Sequence, residues 1–390
     1  MADVQCDIAV VGGGIAGLWS LAKLRAAGFS AVLLERAALG SGQTIASQGI
    51  IHGGTKYALT GKLTGSAMAI GEMPGIWRAA LAGDGDVDLS GVRVLAEHQY
   101  LWSNGSLASG MAGFFAAKVM QSRMQSLPRD EFPSPFDTPA FRGSVYRLDE
   151  PVLDAASLLG VLAERLSDNC YLGELIACEK IAAGWRLGIS GQITIETKAL
   201  IFTAGKGNAD LLAMAGRQAP RMQTRPLRML MVRGRLPILN AHCLGASANP
   251  RLTITSYLED DGRVVWYLGG QVAEEGIHRS PADQMVAGRA ELAELMPWVD
   301  VSGTEWATLH VERAEVATPG GKRPDDAYVA CADRLITSWP TKLAFAPRVA
   351  RLVSDQIAAL NIAPSGPAPT LNLPKPSVAG LPWHEVAAWS

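Results

Sequence analysis

The sequence predicts an α/β fold joined to a second, antiparallel-sheet part, and three observations carry that prediction. An apolar run over residues 7–11 breaks at Gly12, and a helical pattern resumes at Ile15 with Leu18, Leu21, Ala22 and Leu24. The same strand-to-helix geometry recurs where the apolar run 199–205 ends in a small-residue turn before a helix at about 209–215. Between Arg225 and Gly270 the pattern turns strand-like, over 227–232, 252–258 and 264–268, with Asp261-Gly262 as a turn signal.

The first unit carries the most specific chemistry. Gly12 permits the tight turn, Gly14 lets the backbone approach a pyrophosphate, and Gly17 lets the helix lie close on the strand. The phosphates then meet Ile15 and Ala16 at a helix N-terminus, whose N–H groups and partial positive charge favour an anion without Lys or Arg. A second apolar run over 31–34 ends in Glu35-Arg36, about where a carboxylate accepts from ribose hydroxyls. Strand, glycines, helix, strand and acid in this order predict a bound dinucleotide. Alone they do not choose between FAD and NAD.

Further along, Pro128, Pro133, Pro135 and Pro139 bar a regular helix over 127–142, which predicts a surface run between elements. Asp154 is placed to cap a helix with Leu158, Leu159, Leu162 and Leu166 on its apolar face. Residues 192–197 read as a strand ahead of 199–205. After the strand-rich stretch come a helix at about 280–296, strands at 328–331 and 335–338, and a last helix at about 346–360. The tail holds Pro364, Pro367, Pro369, Pro374, Pro376 and Pro382, so it is an extended strap or partly disordered.

Composition excludes several classes of function. With 35 basic and 37 acidic residues and a formal net charge of −2, no broad field draws nucleic acid or an anionic membrane. The first apolar run follows Asp3 and Asp7 and is cut by Gly12, so it is neither a signal peptide nor a membrane span, and a cytoplasmic location is the default expectation. The five cysteines and six histidines are scattered without metal-ligand spacing, which predicts neither a disulfide framework nor a metal site.

In order, these segments resemble the FAD-dependent oxidoreductases of the D-amino-acid oxidase superfamily, including glycine and sarcosine oxidases and flavin-linked glycerol-3-phosphate dehydrogenases. The matching stretches are 12–17 with Glu35-Arg36, 41–57, 150–154, 203–205, 267–270 and the C-terminal stretch through Lys342. The resemblance implies a Rossmann-like FAD domain assembled from 1–85, 150–218 and 320–363, a substrate domain from 86–149 and 219–319, and a tail over 364–390. It also implies that Ser41, Gln43, Thr44, Ser47, Gln48 and Gly49 line the pyrophosphate, ribityl chain and flavin edge, with Thr203, Ala204 and Gly205 as a second backbone approach.

The sharpest local match is Ile51-His52-Gly53-Gly54-Thr55-Lys56-Tyr57, which is similar to a motif of the glycerol-phosphate enzymes and departs from it in having Lys56 for Arg. Lysine keeps the charge but loses the planar fork for an anion. His52 beside the flavin would accept the proton that leaves oxygen or nitrogen as hydride departs from carbon. Relatives use an Arg at the position of Arg313 to grip a substrate anion or steady the flavin; on residues alone it is a surface partner of Glu312 or Glu315. Thr341, Lys342 and Leu343 fall before the last helix, where Lys342 would face the pyrimidine edge of the flavin. Trp339 either caps the pocket or is buried core. The expected activity is oxidation of a C–H bond beside an amine or hydroxyl of a small, anionic substrate, with amine or amino acid ahead of polyol phosphate or 2-hydroxy acid. Electrons would pass to dioxygen, a quinone or another carrier. A dinucleotide-holding module without catalysis is the alternative of another class.

Overall fold

The computed structural model describes residues 4–54, 65–103, 124–244 and 249–390. Its first sheet has the order Tyr328–Ala332, Leu335–Trp339, Ile193–Phe202, Val4–Val11, Ala31–Glu35, Cys170–Leu172. Val4–Val11 lies at its centre, parallel to both neighbours. It is apolar on both faces because helices Ile15–Ala26, Ala155–Arg165 and Ala346–Ala359 cover one side, while the hairpin Leu175–Ile181 and Gly184–Ile189 closes the other. Asp154 caps its helix as the sequence predicts, its Oδ1 accepting from the N–H groups of Ala156 at 2.9 Å and Ser157 at 3.1 Å.

The two strand-like stretches at 192–197 and 199–205 form one strand, Ile193–Phe202. Its first half alternates in burial beside the Gly184–Ile189 strand, and its second half is wholly buried between parallel neighbours. The change of pattern is a change of partners within one strand.

The second sheet has eight strands in the order Glu305–Val316, Met222–Gly234, Val264–Gly269, Leu252–Leu258, Ala241–Cys243, Gln99–Ser103, Ser144–Leu148, Met124–Ser126. All its pairs are antiparallel except Ala241–Cys243 with Gln99–Ser103, which is parallel. Period-2 alternation divides its side chains. Leu230, Val232 and Trp266 face a core shared with helix Pro281–Leu295, while Met229, Met231, Val265 and Tyr267 face the opposite side with Trp383.

One expectation needs correction, and one choice between alternatives is decided. The proline-rich stretch does more than cross the surface: Phe136 and Phe141 are buried against Trp102 and Trp298, because prolines forbid a helix without forbidding aromatic anchors. The tail is an extended strap across both sheets. Ser365 binds Asp7, the Pro374 carbonyl accepts from Leu172, residues 377 and 379 bond Leu39, and Ser390 exchanges two backbone hydrogen bonds with Trp306. Among the described residues, no helix is long and apolar enough to cross a membrane.

Candidate functional site

A cavity of about 1570 Å³ starts at the glycine turn and continues along residues 40–52 to strand Glu305–Val316 of the second sheet. At its first end the backbone does most of the shaping. Gly12 has φ of 113°, and a Cβ there would stand 2.6 Å from the Ala204 backbone. A Cβ on Gly17 would stand 2.0 Å from the Gly12 carbonyl oxygen, so this glycine serves the close approach of helix and strand and does not line the cavity. Close helix–strand packing is the role that the glycine spacing predicts for it. Gly12, Gly14, Ile15 and Ala16 do line the cavity, with the N–H of Ile15 donating to Thr44 Oγ1 at 3.0 Å.

Glu35 is at the wall where a ribose is expected, with Arg36 beside it. Its carboxylate also has a structural task that spacing did not disclose. Oε2 accepts from the Gly13 N–H at 2.6 Å and Oε1 from the Ala37 N–H at 2.9 Å, fixing the glycine turn from below. Opposite, the Thr203 hydroxyl donates to the Gly12 carbonyl at 2.8 Å, and buried Asn208 accepts from the Ala204 N–H at 2.8 Å while donating to the Ser338 carbonyl. Asn208 was missed, although an Asn just after a small-residue turn is helix-start chemistry.

Ser41, Gln43, Thr44, Ser47, Gln48, Gly49, Thr203, Ala204 and Gly205 all line the cavity. Two of them also bind the second sheet. Gln43 Oε1 accepts from the Ala314 N–H at 2.9 Å, and the Gln48 amide donates to the Tyr267 carbonyl at 2.8 Å. The loop is therefore the joint between the two sheets.

At the other end the wall includes His52, Arg313, Thr341, Lys342 and Leu343. Lys56 lies outside the described residues. Arg313 does not pair with Glu312 or Glu315: its Nε donates to the Arg225 carbonyl at 3.0 Å and its terminal nitrogen lies 3.5 Å from Glu274, while Glu312 pairs with Lys206 and Glu315 with Arg225. Strand alternation and register decide these partners, for Arg225 stands directly across from Arg313. Burial, then the neighbouring Arg225 charge, push the Arg313 guanidinium down to about 10 against the pull of Glu274, so it remains a cation at neutral pH. Thr341 holds a left-handed φ of 61°, a costly conformation for a β-branched residue that the packing around the last helix imposes. Trp339 is fully buried, and its indole N–H donates to the Gly205 carbonyl at 2.9 Å. It steadies the second backbone approach. Cys6, Cys170 and Cys243 are buried, and burial pushes each thiol up to about 12, which suits packing and not nucleophilic attack.

Behind His52 stands a polar cluster that the sequence reading did not assemble. Glu150 Oε2 lies 3.4 Å from His52 Nδ1, and Glu150 Oε1 accepts from the Gly53 N–H at 2.7 Å. The Gln99 amide donates to Glu150 Oε2 at 2.6 Å. The His242 ring stacks on His52 with centroids 5.8 Å apart, and its Nδ1 is 2.9 Å from Thr253 Oγ1. The ligand-type atoms of His52, Glu150 and His242 lie within 4.8 Å of one another, although their sequence separations carry no metal spacing.

A glycine turn at a strand end, opening into a cavity that runs beneath a second sheet, is the arrangement of a nucleotide-binding protein. The chain matches the family of FAD dependent oxidoreductases over residues 7–345 and belongs to that family. It is 47% identical over 386 residues to a probable FAD-dependent oxidoreductase of Pseudomonas aeruginosa, covering 98% of each chain. The crystal structure of an FAD-dependent oxidoreductase from Pseudomonas aeruginosa superposes with a TM-score of 0.85 at 42% identity, again over 98% of both. Glycine oxidase of Geobacillus kaustophilus superposes at 0.65 and 18% identity over 91% of this chain and 95% of that one. The L-α-glycerophosphate oxidase of Mycoplasma pneumoniae with FAD bound superposes at 0.62 and 16% identity, over 95% and 96%. The last two share the fold. The cofactor is FAD, which sets aside NAD, and the protein is an oxidoreductase, which sets aside a non-catalytic module. The residues present fit the group: a glycine turn too tight for side chains at one end, and hydroxyl, amide and cationic side chains toward the other.

Proposed function

We propose that this oxidoreductase removes hydride from a carbon bearing an amine or hydroxyl on a small anionic substrate, with an amine or amino acid ahead of a polyol phosphate or 2-hydroxy acid. The observation that supports it is that His52, Arg313 and Lys342 lie on the wall of the cavity that also contains the glycine turn. Bound FAD supplies the hydride acceptor. His52 takes the proton from the substrate nitrogen or oxygen, and Arg313 holds the substrate anion; Lys56 is proposed to assist it. Lys342 and the start of helix Ala346–Ala359 offset the negative charge that collects as electrons arrive.

The alternative of a polyol phosphate or hydroxy acid draws on His52-Gly53-Gly54. The fold is common to proteins described as glycine oxidase and as glycerophosphate oxidase, so it does not choose between them. The electron acceptor, dioxygen, a quinone or another carrier, and a cytoplasmic location belong to the same proposal. An anaerobic screen of amines, amino acids, hydroxy acids and polyol phosphates, scored by bleaching of the flavin bands, tests it. Bleaching by an amino acid or small amine supports the first choice; bleaching by a polyol phosphate or hydroxy acid alone selects the alternative.

A further inference from the structure

We infer that Glu150 is a positioning residue that fixes the tautomer of His52 and raises its affinity for the substrate proton. The inference rests on the reading of His52 as the proton acceptor. Glu150 is 3% exposed, yet each of its oxygens is engaged: Oε1 by the Gly53 N–H at 2.7 Å, and Oε2 by the Gln99 amide at 2.6 Å and His52 Nδ1 at 3.4 Å. Those donors favour the ionised carboxylate, and the buried setting strengthens its field on the neighbouring ring. Facing a carboxylate, His52 carries its proton on Nδ1, which leaves Nε2 with the lone pair that accepts a proton. The 3.4 Å separation is long for a hydrogen bond and is of the kind that tightens when the ring becomes cationic.

Glu150, from the loop before strand Val152–Leu153, and His242, from strand Ala241–Cys243, are titratable groups that face His52. His242 is 2% exposed, and its Nδ1 lies 2.9 Å from Thr253 Oγ1. The proposed step balances. The substrate N–H or O–H proton would pass to His52 Nε2 as the C–H electron pair leaves as hydride, for which bound FAD would be the acceptor, and a C=N or C=O bond would form. Glu150 stabilises the imidazolium without taking the proton.

The same three side chains also have the composition of a metal site, and the test separates the two. Histidine-labelled holoenzyme is titrated by NMR, reading the tautomer and pKa of His52 in the wild type and in Glu150→Gln, with flavin absorbance as the check on folding. The Nδ1–H tautomer is expected, with the His52 pKa falling by about one unit or more in the variant, a tenfold or larger loss of proton affinity. Glu150→Asp keeps the charge at shorter reach, should give a smaller fall, and serves if Glu150→Gln does not fold. An unmoved His52 titration overturns the proposal, as does an equivalent of divalent metal that purified holoenzyme carries and both Glu150→Gln and His242→Ala lose. Failure of the proton-acceptor reading shows elsewhere, as unchanged turnover in His52→Ala on a substrate from the screen.

Discussion

The two ends of the cavity are built on different principles. Around Gly12 the contacts are made by backbone atoms and by side chains that serve the backbone, such as Glu35 under Gly13 and Thr203 on the Gly12 carbonyl. Around His52 they are made by side chains from separate elements: Glu150 and Gln99 behind the ring, and His242 stacked on it. A backbone cradle recognises a phosphate that every FAD carries and tolerates little change. A side-chain cluster can be re-specified one residue at a time, so the cofactor end marks the family and the substrate end marks the member.

The largest effect of a substitution is expected at the end that holds His52. His52→Ala should keep its flavin and lose about 10²–10⁴-fold in turnover on a substrate found by the screen, as removal of a general base does. Loss of flavin from this variant would show that the two ends are not separable. At the other end, Gly17→Val drives a side chain into the Gly12 carbonyl and the Thr203 hydroxyl, which lie 2.0 Å and 2.7 Å from the Cβ position. A destabilisation of about 3 kcal/mol and a colourless protein are expected, seen as a lowered melting temperature and no flavin absorbance.

Asp7 tests how much of the first sheet depends on one buried charge. Burial alone would raise its pKa, but the Lys198 ammonium, the Ser30 N–H and the hydroxyl and N–H of Ser365 outweigh it and hold the carboxyl below its usual range. The sign follows: its contribution is complete above the unfolded carboxylate pKa and is lost as pH falls through the folded value. Asp7→Asn should therefore cost about 2 kcal/mol near neutrality. Thermal melts of the two proteins should converge under acid. The smallest effect is expected for Lys342→Met, which should make the flavin midpoint potential more negative by roughly 20 mV, about 1 kcal/mol for two electrons. An unchanged potential would remove Lys342 from the charge-stabilising role.

Legibility followed the same division. The glycine turn, the Asp154 cap and the helix Ala346–Ala359 depend on contacts within a few residues or on a regular apolar period, and they were readable from residue types. The partners of Arg313 were not, because strand register fixes them and Glu312 and Glu315 turn to Lys206 and Arg225. Glu150 lay inside a matching segment, but its role depends on Gln99 and His52, which lie 51 and 98 residues away.

Residue order alone is enough for a glycine turn that opens on a helix N-terminus at Gly12 and for the strand-rich region that follows. Local steric and dipolar rules suffice for that, since Gly12 and Gly17 have almost no alternative use at that spacing. The tertiary structure alone put the Trp339 indole under Gly205 and brought His52, Glu150, Gln99 and His242 into one cluster. Those facts depend on how two sheets and the loop carrying Gln43 and Gln48 dock, and docking is fixed by the summed packing of distant strands.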